Sequence, residues 1–192
     1  MELKNIAKIQ SGYINRGKIE PRDDGTCLLL QAKDIDADSL SYRTEALVRF
    51  IPRLSGKDWF LKPGDILFMA RGARNFSVLI DKLPDSVLAA ACFFVVRISN
   101  PETLPEYLWW YLNKLPVEEY LKRFSGRAVH MPVVRRAVLE SIDIPLPPIK
   151  IQKHISEINK LLQKEQRLYK KLAEKRKNLM TEICLKATLE SN

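Results

Sequence analysis

Histidine and cysteine are scarce in this 192-residue chain: His130 and His154 are the two histidines, and Cys27, Cys92 and Cys184 lie far apart, odd in number and without metal-like spacing. That leaves little material for a zinc or multi-histidine centre, and neither a metal nor another cofactor is expected. Dispersed thiols also give no disulfide framework, which points to a reducing cytoplasm. The phosphate-cradling GxxxxGK[ST] loop, the GxGxxG turn and the GxSxG nucleophile elbow are all missing, so no catalytic centre is expected. Asp85 after Pro84 could open a metal-nuclease acidic pair, yet no later acid is followed two positions on by lysine. The most apolar stretch, SVLAAACFFVVRI at 86–98, falls far short of the roughly 20 residues that span a bilayer and reads as buried strand. The opening MELKNIAKIQSG lacks the basic start and apolar run of a signal peptide, so no leader and no membrane contact are expected.

What is present suits one ordinary domain with an appendage, since 46% hydrophobic content can build a real core. The formal net charge is +9, and residues 150–192 hold eleven basic side chains against five acidic ones, so the tail carries most of the excess. Upstream, residues 121–139 contain Lys122, Arg123, Arg127, Arg135 and Arg136 with no acid among them. Such a positive strip fits a nucleic acid or another phosphate-rich partner, and it also fits a plain solvated surface.

Short apolar runs broken by turn residues predict strands at 26–30, 66–70 and 76–80, with Gly72 opening a turn that carries Arg71, Arg74 and Asn75. A connection at 81–85, including Lys82, then leads into the long apolar strand. Leu108, Tyr111 and Leu112 recur at helical spacing between Pro105 near a start and Pro116 near a stop, and a second short helix is expected within 117–124. SGRAVHMPVV reads as a glycine-pivoted loop, residues 138–144 as a strand, and Pro145, Pro147 and Pro148 as an extended exit. The expected fold class is α+β: a mixed domain over residues 1–149, then a long C-terminal coiled-coil-forming helix over 150–192.

Two interleaved seven-residue series run along that helix. Ile155, Leu162, Tyr169, Arg176 and Ile183 make one; Ile151, Ile158, Glu165, Leu172, Leu179 and Lys186 make the other. Fully helical, the stretch is about 60 Å long at roughly 1.5 Å per residue. The chain supplies no second helix of comparable length to cover that seam, so association is expected through Ile151, Ile155, Ile158, Leu162, Tyr169, Leu172, Leu179 and Ile183.

Candidate DNA contacts gather on two predicted loops. Arginine can pair with guanine, asparagine with adenine, and arginine or lysine can grip phosphate. Arg71, Arg74, Asn75, Lys82, Lys122, Arg123, Ser125 and Arg127 supply that chemistry, and His130 lies in the glycine loop beside them. A solvated turn is the rival for each.

The order of several segments resembles the specificity subunit of type I restriction-modification systems: LKNIAKIQSGYI, LLLQAKDID, LKPGDILFMARG with Asn75, AAACFFVVRI, LPEYLWWYLN, the loop from Gly126 to Met131, and above all SIDIPLPPIKIQKHISEINKLL with Gln152 and Ile155 opening the helix. The resemblance covers nearly the whole chain and implies one target recognition domain followed by one spacer helix, a half-size form of a subunit that ordinarily carries two of each. It implies a non-catalytic reader of double-stranded DNA that holds adenine methyltransferase subunits and joins a motor-nuclease subunit in the full complex. Two copies paired through the tail would form a homodimer reading a symmetric bipartite target. The alternative is a helical scaffold, or a remnant that no longer reads DNA; a standalone nuclease is a third class.

Overall fold

The computed structural model describes residues 1–15, 17, 19–53, 59–124 and 133–190, the side chains of 189 and 190 excepted. The chain divides by its internal contacts into two units, Met1–Lys153 and His154–Asn192.

In the first unit nine strands form three sheets. The largest holds β1 (Ala7–Ser11), β9 (Phe93–Ile98), β6 (Ile66–Met69) and β7 (Ser77–Leu79) in that spatial order, all antiparallel. The second holds β5 (Val48–Phe50), β2 (Cys27–Leu30) and β8 (Val87–Ala89), with β2 antiparallel to β5 and parallel to β8. A short ladder joins β3 (Ile35–Asp36) to β4 (Ser41–Tyr42). β6 is buried at all four residues, as a strand covered on both faces should be. Its Leu67 and Met69 pack with Phe93 and Val95 of β9 and with Val87 and Ala89 of β8 in the main core. Tyr13, Cys27, Leu29, Phe50 and Leu88 form a second apolar cluster.

Residues 86–98 are therefore not one strand. The run breaks at a turn closed by the Phe93 N–H donating to the Ala90 carbonyl at 3.0 Å, which sends β8 to one sheet and β9 to the other. Ala90, Ala91 and Cys92 are small enough to bend there, and hydropathy alone does not register the break. Gly12 crosses at this bend; a Cβ on it would lie 2.1 Å from the Ala90 oxygen, so only glycine fits.

Helix α1 (Pro105–Leu112) starts with proline at its first position, where the missing N–H costs nothing. It covers the open edge of β7. Asn113, at its C-terminal end, accepts the Ser77 N–H at 2.8 Å and donates to the Ser77 hydroxyl at 2.8 Å, while the Trp109 indole donates to the Ser77 carbonyl at 3.0 Å. An edge closed this way offers no free ladder to a passing strand. Pro116 does not stop a helix: it lies in the first turn of α2 (Leu115–Phe124), where proline is tolerated.

Residues 136–140 form helix α3 (Arg136–Glu140) rather than the start of a strand. Arg136 and Glu140 meet at 2.7 Å four residues apart, and buried Leu139 and Ile142 follow helical spacing. The extended remainder pairs only through the single bridge between Glu2 and Asp143.

Helix α4 spans Ile149–Glu190, 42 residues. Its first turn belongs to the first unit, where Gln152 is nearly wholly buried; its amide donates to the Glu102 and Pro147 carbonyls and its oxygen accepts the Leu104 N–H. The second unit is the rest of that helix.

Candidate nucleic-acid interface and helix seam

The turn between β6 and β7 carries Arg71, Arg74 and Asn75, and α2 ends in Lys122 and Arg123. These two elements come together. Arg74, Asn75 and Lys122 line one cleft of about 620 Å³, whose other walls include Ala37, Asp38, Phe76, Asn113, Lys114 and Glu118. The chain re-enters the described structure at Val133, which bridges to Arg71, while the Val134 N–H donates to the Ala70 carbonyl at 2.9 Å. Both ends of the 125–132 stretch are thus placed near the Arg71 turn and α2. Ser125, Arg127 and His130 themselves lie outside the described residues.

Several candidates are already engaged within the chain. The Asn75 amide donates to the Met69 carbonyl at 2.8 Å, pinning its own turn. Arg74 donates to the Ala37 carbonyl, lies 3.6 Å from the Asp38 carboxylate and stacks 5.8 Å from the centre of the Phe76 ring. Lys122 meets Glu118 at 2.7 Å, and the hydrogen bond and charge of that carboxylate raise the ammonium pKa above its ordinary value. Exposed pairs of this kind exchange readily for phosphate, because each is worth little in water. Arg71 and Arg123 are exposed. Lys82, also exposed, does not line the cleft; its backbone N–H donates to the Tyr42 hydroxyl at 3.0 Å.

Three contributors to the cleft escaped the sequence reading. Lys114 stands over the Trp110 ring at 5.2 Å. Asp38 and Glu118 bring negative charge close to Arg74 and Lys122, so the cleft is more nearly balanced than an acid-free strip suggests. The spacing of Glu118 to Lys122 was readable as a helical ion pair, but Asp38 reaches Arg74 only through the fold. Of the adjacent tryptophans, Trp109 is buried and Trp110 half-buried, which gives one to the core and the other to the surface beside the cleft.

On α4 the seam is exposed. Ile151, Ile158, Leu162, Tyr169, Leu172, Leu179 and Ile183 are each 45% or more accessible, while Ile155 is half-buried. Leu161, Leu168, Met180 and Leu185 are exposed as well and widen the apolar face beyond the two seven-residue series. Leu161, Glu165, Leu168, Tyr169 and Leu172 line a shallow groove along it. Among the described residues no helix is long and apolar enough to cross a membrane.

No curated protein matches the chain. Solved structures do: a specificity subunit (HsdS) from Thermoanaerobacter tengcongensis, at 18% identity and TM-score 0.58 over 85% of this chain and 36% of that one; a chain from a structure concerned with complex assembly and conformational transition of a type I restriction-modification system, at 18% identity and TM-score 0.60 over 85% and 37%; and the S subunit of such a system from M. genitalium, at 11% identity and TM-score 0.54 over 85% and 38%. At these identities the likeness is one of fold, and the chain spans little more than a third of each neighbour. The family model for the type I restriction modification DNA specificity domain matches residues 1–175. Members of that family are non-catalytic specificity components. A match across nearly the whole chain, joined to the same α+β architecture and long terminal helix, shows that this protein belongs to the type I restriction modification DNA specificity domain family.

Proposed function

We propose that this chain is the DNA-reading component of a type I restriction-modification system and works as a homodimer. Residues 1–149 act as the target recognition domain, and residues 150–192 as spacer and dimerisation helix. Arg71, Arg74, Lys122 and Arg123, with Ser125, Arg127 and His130 of the neighbouring stretch, face the duplex; Lys82 approaches it from outside the cleft. Asn75 holds the turn that presents the arginines. Two copies related by a two-fold axis present identical readers, so the target is a symmetric sequence interrupted by a fixed gap. Adenine methyltransferase subunits dock on the dimer, a motor-nuclease subunit completes the restricting assembly, and the cytoplasm is where it acts.

The observation that carries this reading is the exposed apolar seam of α4, because an amphipathic helix of that length gains stability only when its apolar face is covered. The test is selection of bound duplexes from a randomised pool, with the purified chain alone and with an adenine methyltransferase subunit. The expected product is an inverted repeat of constant gap. Recovery of no motif, or of a single asymmetric one, refutes it. The scaffold reading draws on Asp38 and Glu118, which offset two of the basic side chains in the cleft, and it predicts the unenriched outcome.

A further inference from the structure

The seam of α4 contains charges that break its apolar pattern, and their positions specify more than the existence of a partner. Glu165 sits in one seven-residue series between Ile158 and Leu172; Arg176 sits in the other between Tyr169 and Ile183. Glu165 lines the groove among Leu161, Leu168, Tyr169 and Leu172, so a helix laid on this face must meet its carboxylate. A charged side chain at a core position of a helix pair is costly unless the opposing position answers it, which is how such residues select one alignment.

We infer that two copies of α4 pair antiparallel in a single register, with Glu165 of each copy facing Arg176 of the other and the two-fold axis passing between Lys170 and Lys171. This rests on the homodimer reading and adds orientation and register to it. In this register the neighbouring layers are all apolar: Leu162 meets Leu179, Ile158 meets Ile183, and Tyr169 meets Leu172, each twice by symmetry. At the outer end Ile155 meets Lys186, whose long stem can cover the isoleucine while its ammonium reaches water.

The alternatives fail on charge. A parallel in-register pair sets Glu165 against Glu165 and Arg176 against Arg176 in the middle of the seam, where like charges repel with little water to screen them. Sliding the antiparallel pair by seven residues one way puts Glu165 against Tyr169 and Arg176 against Ile158. Sliding it the other way puts Arg176 against Leu172, Glu165 against Ile183 and Lys186 against Leu162. Only one alignment satisfies both charges and keeps the layers between them apolar.

Charge reversal provides the first test, read as the dimer dissociation constant by sedimentation. Glu165→Arg alone and Arg176→Glu alone should each weaken the dimer by roughly 100-fold, about tenfold for each of two reversed contacts. The double variant Glu165→Arg/Arg176→Glu should return to within roughly threefold of the parent, because the contacts are restored with exchanged partners. Single variants as tight as the parent, or a double variant no tighter than the singles, overturn the register.

A second test reads orientation directly. In a Cys184→Ser background, chains bearing Leu162→Cys and chains bearing Leu179→Cys are oxidised separately and mixed. The register predicts a disulfide between position 162 of one chain and 179 of the other in the mixture, and no dimer from Leu162→Cys chains alone, since those two positions lie about 25 Å apart along the axis. Efficient linkage of 162 to 162, or a dimeric mass without linkage of 162 to 179, overturns the register while leaving pairing intact. A monomeric parent chain overturns pairing itself.

Discussion

Gln152 offers a quantitative test of how the start of α4 is held. Its side chain is 1% exposed; its oxygen accepts the Leu104 N–H at 2.9 Å, and its amide donates to the carbonyls of Glu102 and Pro147, each at 2.8 Å. Gln152→Leu keeps the length and approximate volume but removes all three bonds and leaves three backbone groups without this partner. A net hydrogen bond contributes about 1 kcal/mol and a stranded buried group costs about 1–3 kcal/mol, so the loss should be about 3 kcal/mol or more. For a domain of this size each kcal/mol moves Tm by roughly 2–4 °C, which predicts a fall of about 6–12 °C. Tryptophan fluorescence is the suitable probe, since Trp59, Trp109 and Trp110 all belong to the unit Met1–Lys153. Gln152→Glu retains the acceptor for Leu104 but turns an oxygen toward two carbonyls, and should lose at least as much at neutral pH. A Tm for Gln152→Leu within about 2 °C of the parent would refute the reasoning.

Other outcomes follow from the same geometry. The Tyr42 hydroxyl gathers the N–H groups of Asp81 and Lys82 and contacts the Asp81 carboxylate, so Tyr42→Phe should cost about 1–3 kcal/mol in denaturant unfolding. Hydrogen bonding from Tyr42 lowers the Asp81 pKa, so the contribution of that carboxylate is full above its unfolded pKa and is lost as pH falls through the folded one; in Tyr42→Phe the acid dependence of stability should flatten. Cys184 is exposed, whereas Cys27 is buried and burial pushes the Cys92 thiol up; maleimide labelling followed by peptide mapping should modify Cys184 first, and faster labelling of Cys92 would contradict the packing around the β8 to β9 bend. Arg71→Ala should reduce the slope of log affinity against log salt by about one for a phosphate contact, an effect read by titrating a fluorescent duplex at several salt concentrations.

Much of the fold was legible because local patterns and tertiary structure agree. Turn residues bracket β6 and β7, proline marks the start of α1, and seven-residue recurrence marks α4. The failures occurred where local pattern was ambiguous. An unbroken apolar run concealed the bend between β8 and β9, since both halves are buried in different sheets and hydrophobicity is uniform across them. Residues 136–140 alternate weakly enough to read as strand, yet the pair Arg136 with Glu140 and the buried Leu139 favour a helical turn. At the candidate interface, residue chemistry identified Arg74, Asn75 and Lys122 and the fold brings them to one cleft. Their engagements were less visible: Asn75 to the Met69 carbonyl and Arg74 to Asp38 depend on how the turn packs, which no spacing rule encodes.

The central claim is that the apolar face of α4 is covered by a second copy of the chain. Light scattering on the purified protein, at micromolar concentration and moderate salt, measures this directly. The account predicts a mass twice the 22.2 kDa of one chain, falling to a single chain mass when Leu172→Asp is introduced into the seam. A parent protein that stays at 22.2 kDa, both alone and in the presence of a methyltransferase subunit, would contradict it.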